Sequence, residues 1–435
     1  MKTARQTAFE ILSKINKDNA YSNLLLDSVL DKSELSQVDK AFVSALVYGV
    51  VERMITLDYE ISLYLKQPIK KLKPQVLNIL RMGAYQILFM DKIPSAAAIN
   101  ESVKLTKNNG VSFASGLVNA VLRKVDAAGI TDTDNLSVRY SAPEWLVSLW
   151  SEAYGEEHTL KLLEAALGET VVTVRVNTLL TDADSLIRKL TDEGVCAENS
   201  AVLENVLNIK SSGPLHKTKS YSEGLFHVQD IASQLCCKAL DVKENDVVID
   251  VCSAPGGKSF TLSQYMNNTG NIYSCDIHEH RLKLIENSAK RLEITNITTF
   301  LNDGSVFNDK MPSADRILCD VPCAGLGVIR KKPEIRYKQP GEFDKLPELQ
   351  YSILSVSAQY LKVGGVLVYS TCSLNPAENE EVINKFLNEH SNFESVRVLP
   401  DVKRYSEDTD YLTLMPHIHN CDGFFISAVR KIKEV

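Results

Sequence analysis

The chain has 435 residues, 44% of them apolar and 24% charged, which suits a globular protein of two or three domains. Its longest apolar stretch, near Ala41 to Val51, is broken by Ser44 and Gly49 and is too short to span a membrane. The net charge of −7 excludes a uniformly basic nucleic-acid binder, although 18 Lys and Arg against 14 Asp and Glu through Tyr140 leave +4 there and −11 beyond.

The start, Met1-Lys2-Thr3-Ala4-Arg5, runs into an amphipathic helix pattern rather than a signal-peptide core. Ala8, Ile11, Leu12 and Ile15 follow the spacing that gathers apolar side chains on one helix face. Leu77, Leu80, Ala84, Tyr85 and Leu88 repeat it behind Pro74. Ser95 opens another helix, which Asn108-Asn109-Gly110 ends, and Leu117, Val121 and Leu122 mark a further one. Residues 1–126 therefore read as an all-helical domain. Lys66, Lys70, Lys71 and Lys73, followed by Arg81, make either a solvated helix end or a phosphate-contacting surface.

Ala127 to Asp134 reads as a linker, and residues 143–225 mix helical and β-branched stretches, the mark of a small α+β domain. From residue 226 to 435 strands and helices alternate. The strands are Val247–Val251, Ile272–Cys275, Thr298–Leu301, Ile317–Cys319 and Val366–Tyr369, with Phe424–Val429 last. That rhythm predicts a doubly wound, Rossmann-like sheet, which binds ligands at the carboxyl ends of its strands.

The chemistry gathers at those ends. After Asp250 come Cys252, Ser253, Ala254, Pro255, Gly256, Gly257 and Lys258, a small-residue loop opening a helix. It is either an ordinary βα turn or a cradle for a nucleotide-like ligand. Asp276 ends the second strand, where a carboxylate can accept both hydroxyls of a ribose or cap the following helix. Asp303, after the third strand, can accept from an adenine amino group or serve as a cap. Asp320-Val321-Pro322-Cys323 follows the fourth strand and Ser370-Thr371-Cys372-Ser373 the fifth. A lone cysteine is usually a small buried hydrophobe. Two at adjacent strand ends, beside a carboxylate and a Gly-rich loop, point to thiol chemistry. The nine cysteines, all from Cys196 onward, form no CxxC pair and no Cys/His metal spacing, so no metal is expected and the thiols read as reduced, in the cytoplasm. Arg330, Lys331 and Lys332 are either a solvated charge run or phosphate contacts.

Asp-x-Cys-x-Ala-Pro-Gly-Gly-Lys, Asp-x-Pro-Cys-x-Gly and Ser-Thr-Cys-Ser resemble the signature of the RNA (cytosine-5) methyltransferases. Val228-Gln229-Asp230 and Asp422-Gly423-Phe424-Phe425 resemble that family's flanking motifs. Val111 to Arg123, with Arg5, Ala8 and Leu12, resembles the NusB family, a helical RNA-binding fold. Together they resemble the branch that acts on 16S ribosomal RNA. The resemblance implies three parts: a NusB-like domain, a small α+β domain of ferredoxin or RRM-like type, and a class I methyltransferase domain. It implies S-adenosylmethionine held by Cys252 to Lys258, Asp276, Asp303 and Asp320. It also implies Cys372 as nucleophile, Cys323 in product release, Asp320 on the cytosine edge, and a monomer. A nucleotide-dependent dehydrogenase would share the sheet, but no GxGxxG follows Val251 and the cysteines would be idle. An RNA-binding regulator with a silent catalytic domain is opposed by the intact Asp320, Cys323 and Cys372. Transfer RNA is the other substrate open to the same chemistry.

Overall fold

The computed structural model describes residues 2–18, 22–168, 170–210, 214–406 and 408–434. They fall into two compact units, Met1–Gly168 with Ile329–Lys338, and Glu169–Val328 with Gln339–Val435.

The first unit is helical. Ala8, Ile11, Leu12 and Ile15 of helix Ala4–Asp18 are buried, as their spacing predicts, and each fully buried leucine contributes roughly 2 kcal/mol. Helix Pro74–Phe89 departs from expectation. It is buried on most of its circumference, including Asn78, Arg81 and Gln86, which makes it the unit's central helix. Its polar groups are paired: Arg81 makes two 2.6 Å bonds to Asp58, and Arg5 Nε donates to Gln86 Oε1 at 2.7 Å. Arg81 thus leaves the basic cluster, whereas Lys66, Lys70, Lys71 and Lys73 are exposed. Helix Glu144–Ala165 packs within this unit.

So does Ile329–Lys338, which the chain reaches directly from the Asp320–Val328 stretch. Arg336 is fully buried and donates to four carbonyls, those of Glu52, Ser141, Ala166 and Ile329, at 3.2–3.4 Å. Glu52 ends one helix, and Ser141 and Ala166 cap two others. Helix C-termini present unpaired carbonyls and negative dipole ends, so a guanidinium answers both needs. Arg330, Lys331 and Lys332 are half-buried in the same segment, not a solvated run.

The second unit holds two sheets. The smaller contains β1 (Val172–Val176), β2 (Ala197–Asn199), β3 (Val206–Ile209) and β4 (Phe226–Val228), antiparallel in the order β2-β3-β1-β4. Helix Ala183–Asp192 buries Leu186 and Leu190 in the core that this sheet shares. The larger sheet contains β5 (Val247–Asp250), β6 (Asn271–Asp276), β7 (Ile297–Leu301), β8 (Ala314–Asp320), β9 (Leu361–Thr371), β10 (Phe393–Val396), β11 (Leu412–Leu414) and β12 (Phe424–Lys431). Its order is β10-β12-β9-β8-β5-β6-β7, with β11 on β12. β5 to β9 are parallel, and β12 runs antiparallel to β9. The chain winds outward from β5 to β7 and returns to β8 on the other flank of β5. The carboxyl ends of β5 and β8 therefore flank the crevice where such sheets take their ligands. Among the described residues no helix is long and apolar enough to cross a membrane, and no cluster of His, Cys, Asp or Glu is placed to hold a metal ion.

Candidate active site

β5 delivers the first part of the site. Asp250 is fully buried at its end, where Ser259 Oγ donates to Oδ2 at 2.6 Å and Oδ1 has no partner among the described residues. Burial pushes its carboxyl up to about 7, against the lowering effect of the Ser259 bond. The following loop folds back on β6: Ser253 donates through both N and Oγ to the Cys275 carbonyl, at 2.8 and 2.9 Å. Gly256 sits at φ 105°, and a Cβ there would lie 2.4 Å from the Phe260 ring, so the turn demands glycine. Helix Gly257–Tyr265 begins directly after it.

Asp276 is buried at the end of β6 and does serve the next helix: Oδ1 accepts from the His278 amide at 2.9 Å, and Oδ2 from Arg281 at 3.1 Å. Each oxygen keeps acceptor capacity toward the crevice. Asp303 is exposed and turns Oδ1 to the Ser305 amide and hydroxyl, at 2.9 and 2.6 Å.

Asp320, ending β8, is held on both oxygens. Ser370 Oγ donates to Oδ1 at 2.9 Å, and Lys258 Nζ to Oδ2 at 2.7 Å. Lys258 also lies 5.3 Å from the centre of the Phe424 ring. Burial opposes its charge, but the Asp320 carboxylate outweighs that and holds the ammonium above its ordinary range. Lys258 is thus a half-buried partner of Asp320.

The two cysteine loops converge. Cys323 Sγ and Cys372 Sγ are 3.2 Å apart. The Cys372 contact, reinforced by burial, pushes the Cys323 thiol well above its ordinary range. Backbone bonds brace the loops: the Gly327 amide donates to the Cys372 carbonyl and the Gly423 amide to that of Gly327, both at 2.9 Å. A Cβ on Gly327 would meet the Gly423 carbonyl at 1.9 Å. The two flanking motifs meet as well, since Asp230 Oδ1 accepts from the Asp422 amide at 3.1 Å.

One cleft of about 380 Å³ joins these elements. Cys252, Ala254, Asp276 and Asp303 line it together with Asp320, Cys323 and Cys372. Ser253, Pro255, Gly256 and Gly257 form the turn behind the lining, and Lys258 reaches the site through Asp320. Arg281 and Asn302 also line the cleft and were not singled out in the sequence. Asn302 directly precedes Asp303 at a strand end, which was the available signal. The volume is that of a small-molecule site.

Residues 237–430 match the family described as 16S rRNA methyltransferase RsmB/F, residues 2–127 the NusB family, and residues 142–216 the RsmF/B-like ferredoxin-like domain. The probable ribosomal RNA small subunit methyltransferase B of Bacillus subtilis is 38% identical, covering 99% of each chain. Its counterpart from Synechocystis is 35% identical over 99% of this chain and 100% of that one. Among solved structures, PH0851 superposes with a TM-score of 0.85 at 25% identity, covering 98% of both chains. A methyltransferase homolog from Pyrococcus horikoshii gives 0.60 at 27% identity, over 68% of this chain and 98% of that one. The fold is that of the RNA methyltransferases, with NusB and ferredoxin-like domains ahead of the Rossmann-like one. Within them, the chain belongs to the ribosomal RNA small subunit methyltransferase B family.

Proposed function

We propose that this protein transfers a methyl group from S-adenosylmethionine to C5 of a cytosine in 16S ribosomal RNA, through a covalent bond between Cys372 Sγ and C6. The observation that carries the reading is the pair of thiols 3.2 Å apart in one cleft with Asp320. The residues present fit the cofactor. The cleft is large enough, Asp276 offers unused acceptor capacity for ribose hydroxyls, and Asp303 and Asn302, which line the cleft, would accept from an adenine amino group. When bound, S-adenosylmethionine supplies the electrophilic methyl group.

C5 of cytosine is too weakly nucleophilic to be methylated unaided. Addition of the Cys372 thiolate to C6 moves an electron pair toward C5 and N3, dividing one hard step into easier ones. N3 takes a proton from solvent as it gains this electron pair, and Asp320, fixed by Ser370 and Lys258, accepts from the resulting N3–H. Lys258 remains charged beside it. After C5 has gained its methyl group, loss of the C5 proton to solvent restores the C5–C6 double bond and expels the Cys372 thiolate. Cys323, in contact with Cys372, is assigned to this release. The target base must leave its stack to reach the cleft.

The test is transfer of labelled methyl to protein-free small-subunit ribosomal RNA, with Cys372→Ala alongside. Label at cytosine C5 that vanishes in the variant is expected, and Cys323→Ala should accumulate a covalent RNA adduct. Normal turnover by Cys372→Ser would refute the nucleophile. Label on transfer RNA alone would move the substrate, and no label on any RNA would favour a binding role.

A further inference from the structure

Glu378 lies outside every motif discussed so far, in the short turn Pro376–Glu378 beyond β9. Its side chain is fully buried, and among the described residues no cation pairs with it. Four neutral donors converge on it instead. Oε1 accepts from the Ala324 amide at 2.8 Å and from Gln350 Nε2 at 3.0 Å. Oε2 accepts from Ser373 Oγ at 2.5 Å and from Asn375 Nδ2 at 3.3 Å. Gln350 Nε2 also donates to the Pro322 carbonyl at 2.9 Å. One oxygen therefore grips the residue after Cys323, and the other grips the residue after Cys372. Gln350 extends the first grip to the residue before Cys323.

A carboxylate buried without a countercharge is costly unless its lone pairs are filled, and this one spends them on the two loops whose thiols meet. We propose that Glu378 is a positioning residue, which clamps the Cys323 and Cys372 loops into thiol contact and adds a fixed negative charge beside Cys323. The proposal rests on the reading of those cysteines given above. The charge has a direction: an anion nearby favours the protonated thiol, and Glu378 contributes to holding the Cys323 proton. Glu378 touches no reacting atom and acts through the loops.

Full-length Glu378→Gln, Glu378→Asp, Ser373→Ala and Gln350→Met would be compared with the wild type and Cys372→Ala. The readouts are single-turnover methyl transfer, decay of the covalent RNA adduct across a pH series, and the affinities for S-adenosylmethionine and RNA. Glu378→Gln should lower the transfer rate by about 100-fold, as an ångström-scale misplacement does, with both affinities unchanged. Removing the anion should also move the Cys323 limb of the adduct-decay pH profile to lower pH. Glu378→Asp keeps the charge, and so keeps that limb in place while losing rate. A wild-type transfer rate in Glu378→Gln, or an adduct-decay limb that does not move, overturns the proposal. If Glu378→Gln does not fold, Ser373→Ala and Gln350→Met decide, and wild-type rates in both overturn it. Methyl transfer by Cys372→Ala would refute the nucleophile assignment instead, which separates the two failures.

Discussion

Asp250→Asn isolates the cost of the charge buried at the end of β5. In the folded protein the carboxyl is pushed up to about 7 by burial, from an ordinary value of 3.8. Between those values the folded chain holds a proton that the unfolded chain has released. Unfolding therefore becomes easier as pH rises through this window, by about 1.4 kcal/mol per pH unit, and levels off above 7. The whole window amounts to about 4 kcal/mol. Asparagine cannot ionise, so the variant escapes this loss. Its carbonyl keeps the Ser259 bond, and its amide falls where Oδ1 already lacks a partner, a pH-independent cost of about 1–3 kcal/mol. The slope is the test, since that offset shifts only the intercept. Urea unfolding of both proteins from below to above this window should show the variant gaining on the wild type by about 4 kcal/mol. A difference that stays flat across the window would refute a buried, proton-holding Asp250.

Arg336→Met should destabilise the helical unit by about 3–5 kcal/mol, because four buried carbonyls lose a charged donor; a shift of the urea midpoint below 1 kcal/mol would count against it. Gly256→Ala forces a side chain into a left-handed turn and onto Phe260, and should cost about 1–3 kcal/mol by thermal melting, with weaker S-adenosylmethionine binding by calorimetry. Lys258→Met leaves the Oδ2 atom of Asp320 without its partner and should reduce kcat for RNA methylation by about 100-fold. A change confined to KM would place Lys258 in RNA binding alone.

Much of this was legible in the sequence, and the remainder has physical reasons for its silence. β5, β6, β8 and β9 lie inside the sheet and carry the apolar runs by which parallel strands announce themselves. β2 (Ala-Glu-Asn) and β10 (Phe-Glu-Ser-Val) are edge strands with acidic residues, made into strands by their partners rather than by their own composition. The cysteine loops were readable because turn residues fix them locally at strand ends. Glu378 was not, since its burial depends on Ala324, 54 positions away. Arg336 and Arg81 pass for surface cations in basic stretches. Only distant carbonyls and Asp58 reveal them as core residues.

The membership of Ile329–Lys338 in the helical unit bears on how the protein is made. A ribosome delivers the chain in order, and Lys338 emerges 170 residues after Gly168. At roughly 5–20 residues per second that interval lasts roughly 10–30 s. During it the carbonyls of Glu52, Ser141 and Ala166 await the guanidinium that satisfies them. The helical unit is thus first to begin and yet cannot finish until the Cys323 loop has also been synthesised. A gene fragment ending at Gly168 encodes a unit that lacks one of its own parts.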